Sequence, residues 1–481
     1  MKSSTYLRIL VVLFLLTLPF VNPWVRGDGV GYYAYVRSLL VERHLRFEND
    51  WRHANPGLRR YSVDGEGRIS PDAYTRTGQL DNRYAVGPSL LWAPFLIPVH
   101  VIVVGLNRLG VGAPADGFSA PYLVTMALAT ALYGFLGLCV SYGLAKRYVP
   151  APWAFLATLG IWFASSLPVY MYFDPAYSHA HSFFSVAVFL WYWCQTRSRR
   201  TIAQWMVLGL ISGVVLDVYY LNVAVLLLPL LESLRGYWIG WRKPERDWKA
   251  LWSFFLGNLA CAGATLAAFL PTMITRQLIY GRPLRFGYED FGPSHWMHPA
   301  LWQPLLSSNH GLLTWTPIII PALVGLALFR RYDRELANYS LAVVVFFYYN
   351  VACHPEWHGL SSYGNRFFLS LAPFFVLGLS VMLQEAGRWF TRAQTAWVAS
   401  RVVIGVLVAW NLAFIFQWGT GLVPHRGPIY WRGMAYNQVV VVPAKLGGAV
   451  RSYFCERGAM MQRIEDNDVR RRQEGDRQKE R

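Results

Sequence analysis

Long apolar runs alternate with short polar connections along the whole chain. The runs lie at about 5–22, 118–145, 152–170, 182–196, 203–218, 220–233, 251–272, 312–329, 336–353, 367–384 and 396–417. A helix needs about 18 or more apolar residues to cross roughly 30 Å of hydrocarbon. The pattern therefore predicts an all-α polytopic membrane protein with about 11 transmembrane helices. A further apolar stretch, 86–107, reads "VGPSLLWAPFLIPVHVIVVGLN" and holds Pro88, Pro94, Pro98 and His100. Each proline removes a backbone donor, so this stretch is expected to be re-entrant or interfacial. Charge placement agrees. The basic clusters Lys146/Arg147, Arg197/Arg199/Arg200, Arg235–Lys249, Arg330/Arg331/Arg334 and Arg388/Arg392 all fall on the cytoplasmic side only if 86–107 does not cross.

Composition supports the membrane reading. The 481 residues are 54% hydrophobic, 16% aromatic and only 15% charged, whereas a soluble protein is about 25% charged. The net charge of +18 lies mostly in blocks between apolar runs. That placement suits orientation and lipid headgroups rather than nucleic acid. Cys139, Cys194, Cys261, Cys353 and Cys455 are scattered with no C-x-x-C pair, which indicates neither a disulfide framework nor a zinc module. No 20–50-residue repeat, P-loop or G-x-G-x-x-G is present. The first run carries Lys2 and Arg8, lacks an A-x-A-like exit and meets Pro23-Trp24, so it reads as a retained signal anchor. Beyond 418, "YNQVVVVPAKLGGAVRSYF" is too interrupted for a span, and the mixed-charge end is expected to be disordered.

The polar chemistry collects on the outer face. The first outer loop begins at Arg26 with a short helix expected over 29–44, and "YMYFDPAYSHAHS" (170–182), the loop 275–311 and "CHPEWHGLSSYGNRF" (353–367) share its side. Asp28 stands between two glycines where the first span ends. It reads as a helix cap or as a proton acceptor at a cavity mouth, and the two roles are compatible. Asp174 before Pro175 reads as a turn former. His179 and His181, two apart, do not share a helix face and line a cavity more readily than they bind zinc. Arg276, Arg282, Arg285 and Arg366 run against the positive-inside trend. Arg366, at the top of an apolar helix, is either a snorkelling anchor or a bidentate grip on a phosphate, with His310, His354 and His358 within call of it. Asp217 lies near the outer end of its span, where an acid is a functional candidate or simply hydrated.

Five stretches together resemble the GT-C superfamily of membrane glycosyltransferases: "RGDGVGYYAYVRSLL", "NRYAVGPSLLWAPF", "DPAYSHAHSFF", "SSNHGLLTWTPIIIPALVGL" and "WHGLSSYGNRFFLSLAPFF". The resemblance spans about 5–417 and is nearest to bacterial predicted glycosyltransferases whose acceptors are unassigned. It implies a transmembrane catalytic domain over 1–417 with its first outer loop at 26–117, followed by a C-terminal segment, 418–481. By position it makes Asp28 and Asp174 the catalytic acids and Arg366 the donor-phosphate arginine, with Arg83 and His310 expected to help hold the phosphate. His179, His181, Tyr33, His358 and Trp357 are the sugar-cavity candidates. The sequence departs from many relatives at Asn309 and in "LDVYYLN", where they carry arginine.

The implied activity is inverting transfer of a sugar from a polyprenyl-phosphate-linked donor to an acceptor hydroxyl, at the extracytoplasmic face of a bacterial inner membrane. The acceptor would be a glycan, lipid or protein, with no nucleic acid involved. No cofactor is indicated, and a divalent cation is compatible with the sequence without being indicated by it. An oligosaccharide ligase or polymerase shares this chemistry. A transporter would place its acids at the bilayer midplane within an internal duplication, and a scaffold would keep the fold without the base.

Overall fold

The computed structural model describes residues 3–197, 200–285, 293–389 and 392–479. Lys2 of the first segment, Arg199 of the second basic cluster and 286–292 of the loop 275–311 lie outside the described residues. Within them the architecture is all α, apart from two isolated β-bridges in the first outer loop, Val63–Ile69 and Tyr74–Leu80. The first helices are α1 Ser3–Thr17, α2 Asp28–Arg37, α3 Glu48–His53, α4 Gly87–Arg108, α5 Ala120–Ala145, α6 Ala151–Phe163 and α7 His179–Thr196. Then come α8 Ile202–Val218, α9 Leu227–Arg242, α10 Trp248–Ala268, α11 Leu270–Tyr280, α12 Pro293–Met297, α13 Gln303–Leu306 and α14 Leu312–Trp315. The last are α15 Ile319–Leu328, α16 Arg334–Cys353, α17 Ala372–Gly387, α18 Ala393–Gly419, α19 Trp431–Tyr436, α20 Val442–Cys455 and α21 Arg457–Lys479.

Among the described residues seven helical segments are long and apolar enough to cross a membrane: Gly87–Arg108, Ala120–Ala145, Tyr220–Arg242, Trp248–Ala268, Arg334–Cys353, Arg366–Gly387 and Gln394–Gly419. Ser4–Phe20, Ala151–Phe163 and Ile202–Val218 are shorter apolar helices. Backbones meet closely where side chains are small. A Cβ on Gly378 of α17 would lie 2.1 Å from the Ala322 carbonyl oxygen of α15, the kind of approach on which helix packing in lipid relies.

The two ends of the bundle differ. At one, the basic clusters meet their acids: Arg197 pairs with Asp333, Arg200 with Glu232, Arg235 with Glu335, and Arg331 and Arg388 with Glu385. At the other lie Asp28, Asp174 and Arg366. α7, which starts at His179 and ends one residue before Arg197, separates them by about 27 Å at 1.5 Å per residue.

Three expectations are corrected. Residues 87–108 form one unbroken helix with Pro94 and Pro98 inside it. Trp92 donates to Thr130 (2.9 Å), Tyr133 donates to the Leu91 carbonyl (3.0 Å), and His100 lies 2.7 Å from the Tyr122 hydroxyl. These contacts hold the proline-bearing stretch antiparallel to the first half of α5, and their partners stand 22 to 42 residues further on, outside any local pattern. The run 312–329 is split at Thr316-Pro317 into α14 and α15. The C-terminal end is helical rather than disordered. α21 lies against the first outer loop, where Arg26 donates to Asp468 (2.5 Å), Asn55 to the Glu465 carbonyl (3.3 Å) and Arg472 to the Arg59 carbonyl (2.6 Å).

The first outer loop is pinned by a buried ion pair. Arg37 at the end of α2 forks onto Asp50 of α3, with Nε to Oδ1 at 2.6 Å and Nη2 to Oδ2 at 2.7 Å, and both side chains are 2% exposed. Asp50→Ala should lower unfolding stability by about 3–5 kcal/mol, because it leaves a buried guanidinium short of its main partner. Arg37→Met with Asp50→Leu should recover most of that loss. Thermal unfolding of the four proteins of this cycle checks it, and a silent Asp50→Ala would show that the loop is held elsewhere.

Candidate active site

The glycines around Asp28 make room for its neighbours. Gly27 has φ +54°, and a Cβ there would lie 2.6 Å from the Tyr177 hydroxyl oxygen. A Cβ on Gly31 would lie 1.9 Å from the Tyr84 ring. Asp28 is the first residue of α2, and the helix start has no side-chain capping bond. The carboxylate is engaged elsewhere: Oδ1 accepts from the Tyr84 hydroxyl at 2.9 Å and Oδ2 from Arg366 Nη2 at 2.6 Å. The Asp28 side chain is 29% exposed and that of Arg366 11%. Burial works to raise the Asp28 pKa, but Arg366, the Tyr84 hydroxyl and Arg83 outweigh it and hold the carboxyl below its ordinary value.

Arg366 opens the helical segment that runs on into α17. Its guanidinium lies over the Tyr177 ring at 5.0 Å, and its buried Nε has no protein hydrogen-bond partner. Tyr84 is fixed from behind by Arg276, which is 1% exposed. Arg276 Nη1 donates to the Asn82 carbonyl (2.9 Å) and Nη2 to the carbonyls of Arg83 and Tyr84 (2.8 Å each), with the Tyr220 hydroxyl also in contact. An arginine that broke the positive-inside trend is thus a clamp on three consecutive carbonyls.

Asp174 shares this electrostatic cluster. Burial raises its pKa; Arg26 and Arg366 oppose that, while Asp468 and Asp28 add to it, and the carboxyl stays above its ordinary value. The two acids are therefore pushed in opposite directions. Arg83 lies over Tyr84 at 5.8 Å and acts on Asp28 through its charge. His179 is enclosed by Tyr170, Tyr177 and Tyr219 next to this cluster. His310, fully buried with φ 59°, packs against Trp315 with the rings tilted and their centroids 4.5 Å apart. Burial, reinforced by His358, takes its pKa down to about 3, so it is a neutral imidazole. His354 Nδ1 accepts from the Glu356 amide and His358 Nδ1 from the Leu360 amide, and Trp357 lies edge-on to His358 at 5.3 Å.

Other candidates do not join the cluster. His181 is sealed between Trp92 and Tyr133. The Tyr33 hydroxyl donates to the Gly117 carbonyl at 2.7 Å and lines a separate cavity. Asp217 is fully buried, accepts from Thr272 at 2.5 Å and packs on Gly87. Sequence reading missed Tyr84, Tyr177, Arg26 and Asp468. Tyr84 stands in "NRYAVGP", already marked for its neighbour Arg83, whereas nothing local marks Asp468. Among the described residues no group of three or more His, Cys, Asp or Glu is placed to hold a metal ion.

No family model and no curated relative matches the chain. Among solved structures it is similar to ArnT from Cupriavidus metallidurans in the apo state, at 16% identity and a TM-score of 0.49, over 95% of this chain and 73% of that one. It is also similar to the archaeal oligosaccharyltransferase AglB from Archaeoglobus fulgidus in complex with an inhibitory peptide and a dolichol-phosphate, at 12% identity and a TM-score of 0.47, over 89% of this chain and 56% of that one. The apo oligosaccharyltransferase of Archaeoglobus fulgidus follows at 13% and 0.41, over 91% of this chain and 54% of that one. The chain thus matches little more than half the length of the two oligosaccharyltransferases. Likeness at this level carries no residue correspondence.

Proposed function

We propose that the protein transfers a sugar, with inversion, from a polyprenyl-phosphate-linked donor to an acceptor hydroxyl at the extracytoplasmic face. The observation that supports this most is the Asp28–Arg366 pair: an ionised carboxylate at a helix start, held against a guanidinium at the head of a membrane-crossing segment. Asp28 takes the proton of the acceptor hydroxyl as that oxygen attacks the anomeric carbon. The bond from that carbon to the phosphate oxygen breaks, and polyprenyl phosphate leaves with the electron pair. Arg366, with Arg83 and a neutral His310 as further donors, meets the charge that develops on the leaving oxygen.

The pair also sets the timing. A carboxylate bound to a guanidinium is a weak base. An arriving phosphate competes for Arg366, and as it does so Asp28 regains basicity. Asp174, with its raised pKa, is suited to hold a proton beside an ionised Asp28. The basic clusters at the far end of the bundle support an outer site through the positive-inside rule.

The structure changes how Asp28 must be tested. Asp28→Asn keeps the Tyr84 contact but strips Arg366 of its counter-ion, so lost activity alone is ambiguous. Transfer by Asp28→Asn in proteoliposomes should fall by about 10²–10⁴, the usual scale for a general base. Adding Arg366→Gln should restore thermal stability and leave turnover absent. A double variant that regains turnover would reduce Asp28 to a counter-ion.

The pH profile gives a second check. A base must be ionised, and a depressed pKa keeps it so, so kcat/KM should hold as pH falls until below about pH 4, the ordinary carboxylate value. The acid limb of kcat should lie at higher pH, because in the donor complex the phosphate has drawn Arg366 off Asp28. Coincident limbs would refute the competition.

Sidedness is open to direct labelling in a Cys455→Ser background, since Cys455 is exposed. A cysteine at exposed Asp64 should react with an impermeant maleimide from outside, and one at exposed Arg242 only after permeabilisation. The reverse pattern would put the site on the wrong face.

A further inference from the structure

A cavity of about 380 Å³ lies beside the Asp28 cluster and separate from it. Trp24 and Val30 on either side of Asp28 line it, together with Tyr33, and Asp28 itself does not. His53, Asn55 and Phe118 form a second wall. The third wall is α21, whose Met461, Gln462, Glu465, Asp466 and Val469 recur at helical spacing and turn one face inward. The volume is in the range of small-ligand pockets, about 300–1,000 Å³.

We propose that this cavity binds the acceptor, and that it takes a neutral or amine-bearing polyhydroxylated segment rather than a phosphorylated one; the assignment rests on the glycosyl-transfer reading above. Three observations converge on it. The lining pairs the Trp24 ring with amide and carboxylate groups, Asn55, Glu465 and Asp466, while Phe118 is stacked on His53 at 4.0 Å and lies under the Arg37 guanidinium at 4.6 Å. A sugar offers the matching surfaces, an apolar C–H face and a hydroxyl edge. Second, the lining carries Glu465 and Asp466, while Asp50 is neutralised by its pair with Arg37, and no lysine or arginine among the described residues lines the cavity itself. An anionic ligand is repelled here, whereas the Asp28 cluster beside it carries Arg366 and Arg83. The two substrates are thereby sorted by charge.

The third observation is the shared wall. Arg26 donates to Asp468 at 2.5 Å, with side chains 16% and 9% exposed. On the cavity side, Arg26 lies over the lining Trp24 at 4.5 Å, and Asp468 precedes the lining Val469. On the other side, both charges act on Asp174, which in turn feels Asp28 and Arg366. One ion pair therefore borders the cavity and acts on the cluster that holds Asp28. The helix that carries Asp468 is the segment whose sequence looked least structured.

Hydrogen exchange of the full-length protein in nanodiscs tests this, with maltotetraose as the neutral probe, a glucosamine tetramer as the amine-bearing one and a hyaluronan tetrasaccharide as the anionic one. The neutral or the amine-bearing tetramer should slow backbone exchange over 457–472 by about threefold, the effect expected at a ligand concentration of about twice Kd. The hyaluronan fragment should not. Val469→Trp, which fills the cavity, should abolish the protection, and Phe118→Ser should weaken it if the tryptophan variant does not fold. Asp28→Asn should retain it, because binding needs no base. The proposal is overturned if neither tetramer protects 457–472, if hyaluronan protects equally, or if protection survives Val469→Trp. Failure of the glycosyl-transfer reading looks different: intact sugar protection together with full turnover by Asp28→Asn.

Discussion

A guanidinium at the head of an apolar helix is expensive to bury alone, and here its counter-charge comes from 338 residues away. The Asp28–Arg366 pair therefore fixes the start of α2 to the head of the segment ending in α17, and Tyr84 and Tyr177 pack around the joint. The geometry leaves little slack, because side chains at Gly27 or Gly31 would collide with those two tyrosines. The same pair restrains Asp28 chemically. Its lowered pKa keeps it ionised and, while paired, a weak proton acceptor, so displacing Arg366 would raise its basicity.

The outer arginines are put to distinct uses, and the uses depend on what each one faces. Arg37 faces a buried carboxylate and forks onto it, which ties α2 to α3. Arg276 faces backbone and gathers the carbonyls of residues 82–84, holding Tyr84 where its hydroxyl reaches Asp28. Arg366 faces a carboxylate that is itself part exposed. The two pairs differ in exposure: the Arg37 and Asp50 side chains are each 2% exposed, whereas the Asp28 side chain is 29% exposed.

What the sequence made legible follows the range of the interactions involved. Apolar length and charge clustering need only local counting, so the all-α membrane architecture and the gathering of Asp28, Asp174 and Arg366 at one end of the bundle could be read directly. Contacts between distant segments could not. The prolines of 86–107 suggested a re-entrant or interfacial segment because the support from Thr130, Tyr133 and Tyr122 is invisible in the local pattern. The mixed charge of 457–479 suggested disorder because Arg26, Asn55 and Arg59, its partners, stand more than 400 residues earlier. His181 looked like cavity lining because a polar residue in a loop motif carries no sign of the aromatic box that encloses it.

The position of α21 bears on how a single face can handle two substrates. A transfer between lipid-borne and hydroxyl-bearing partners needs the anionic group excluded from one compartment and gripped in the other, with the proton acceptor within reach of both. The membrane helices supply the cationic side through Arg366. Of their acids among the described residues, Asp333, Glu232, Glu335 and Glu385 are paired at the far end of the bundle, and Asp217 is buried against Thr272. The acidic wall comes from outside the helical bundle, on a C-terminal helix folded back across the first outer loop. Its inward face carries Glu465 and Asp466, and Asp468 closes it against Arg26. On the proposed reading the bundle would make the base and the tail the selectivity, and the Arg26–Asp468 contact is where bundle and tail meet.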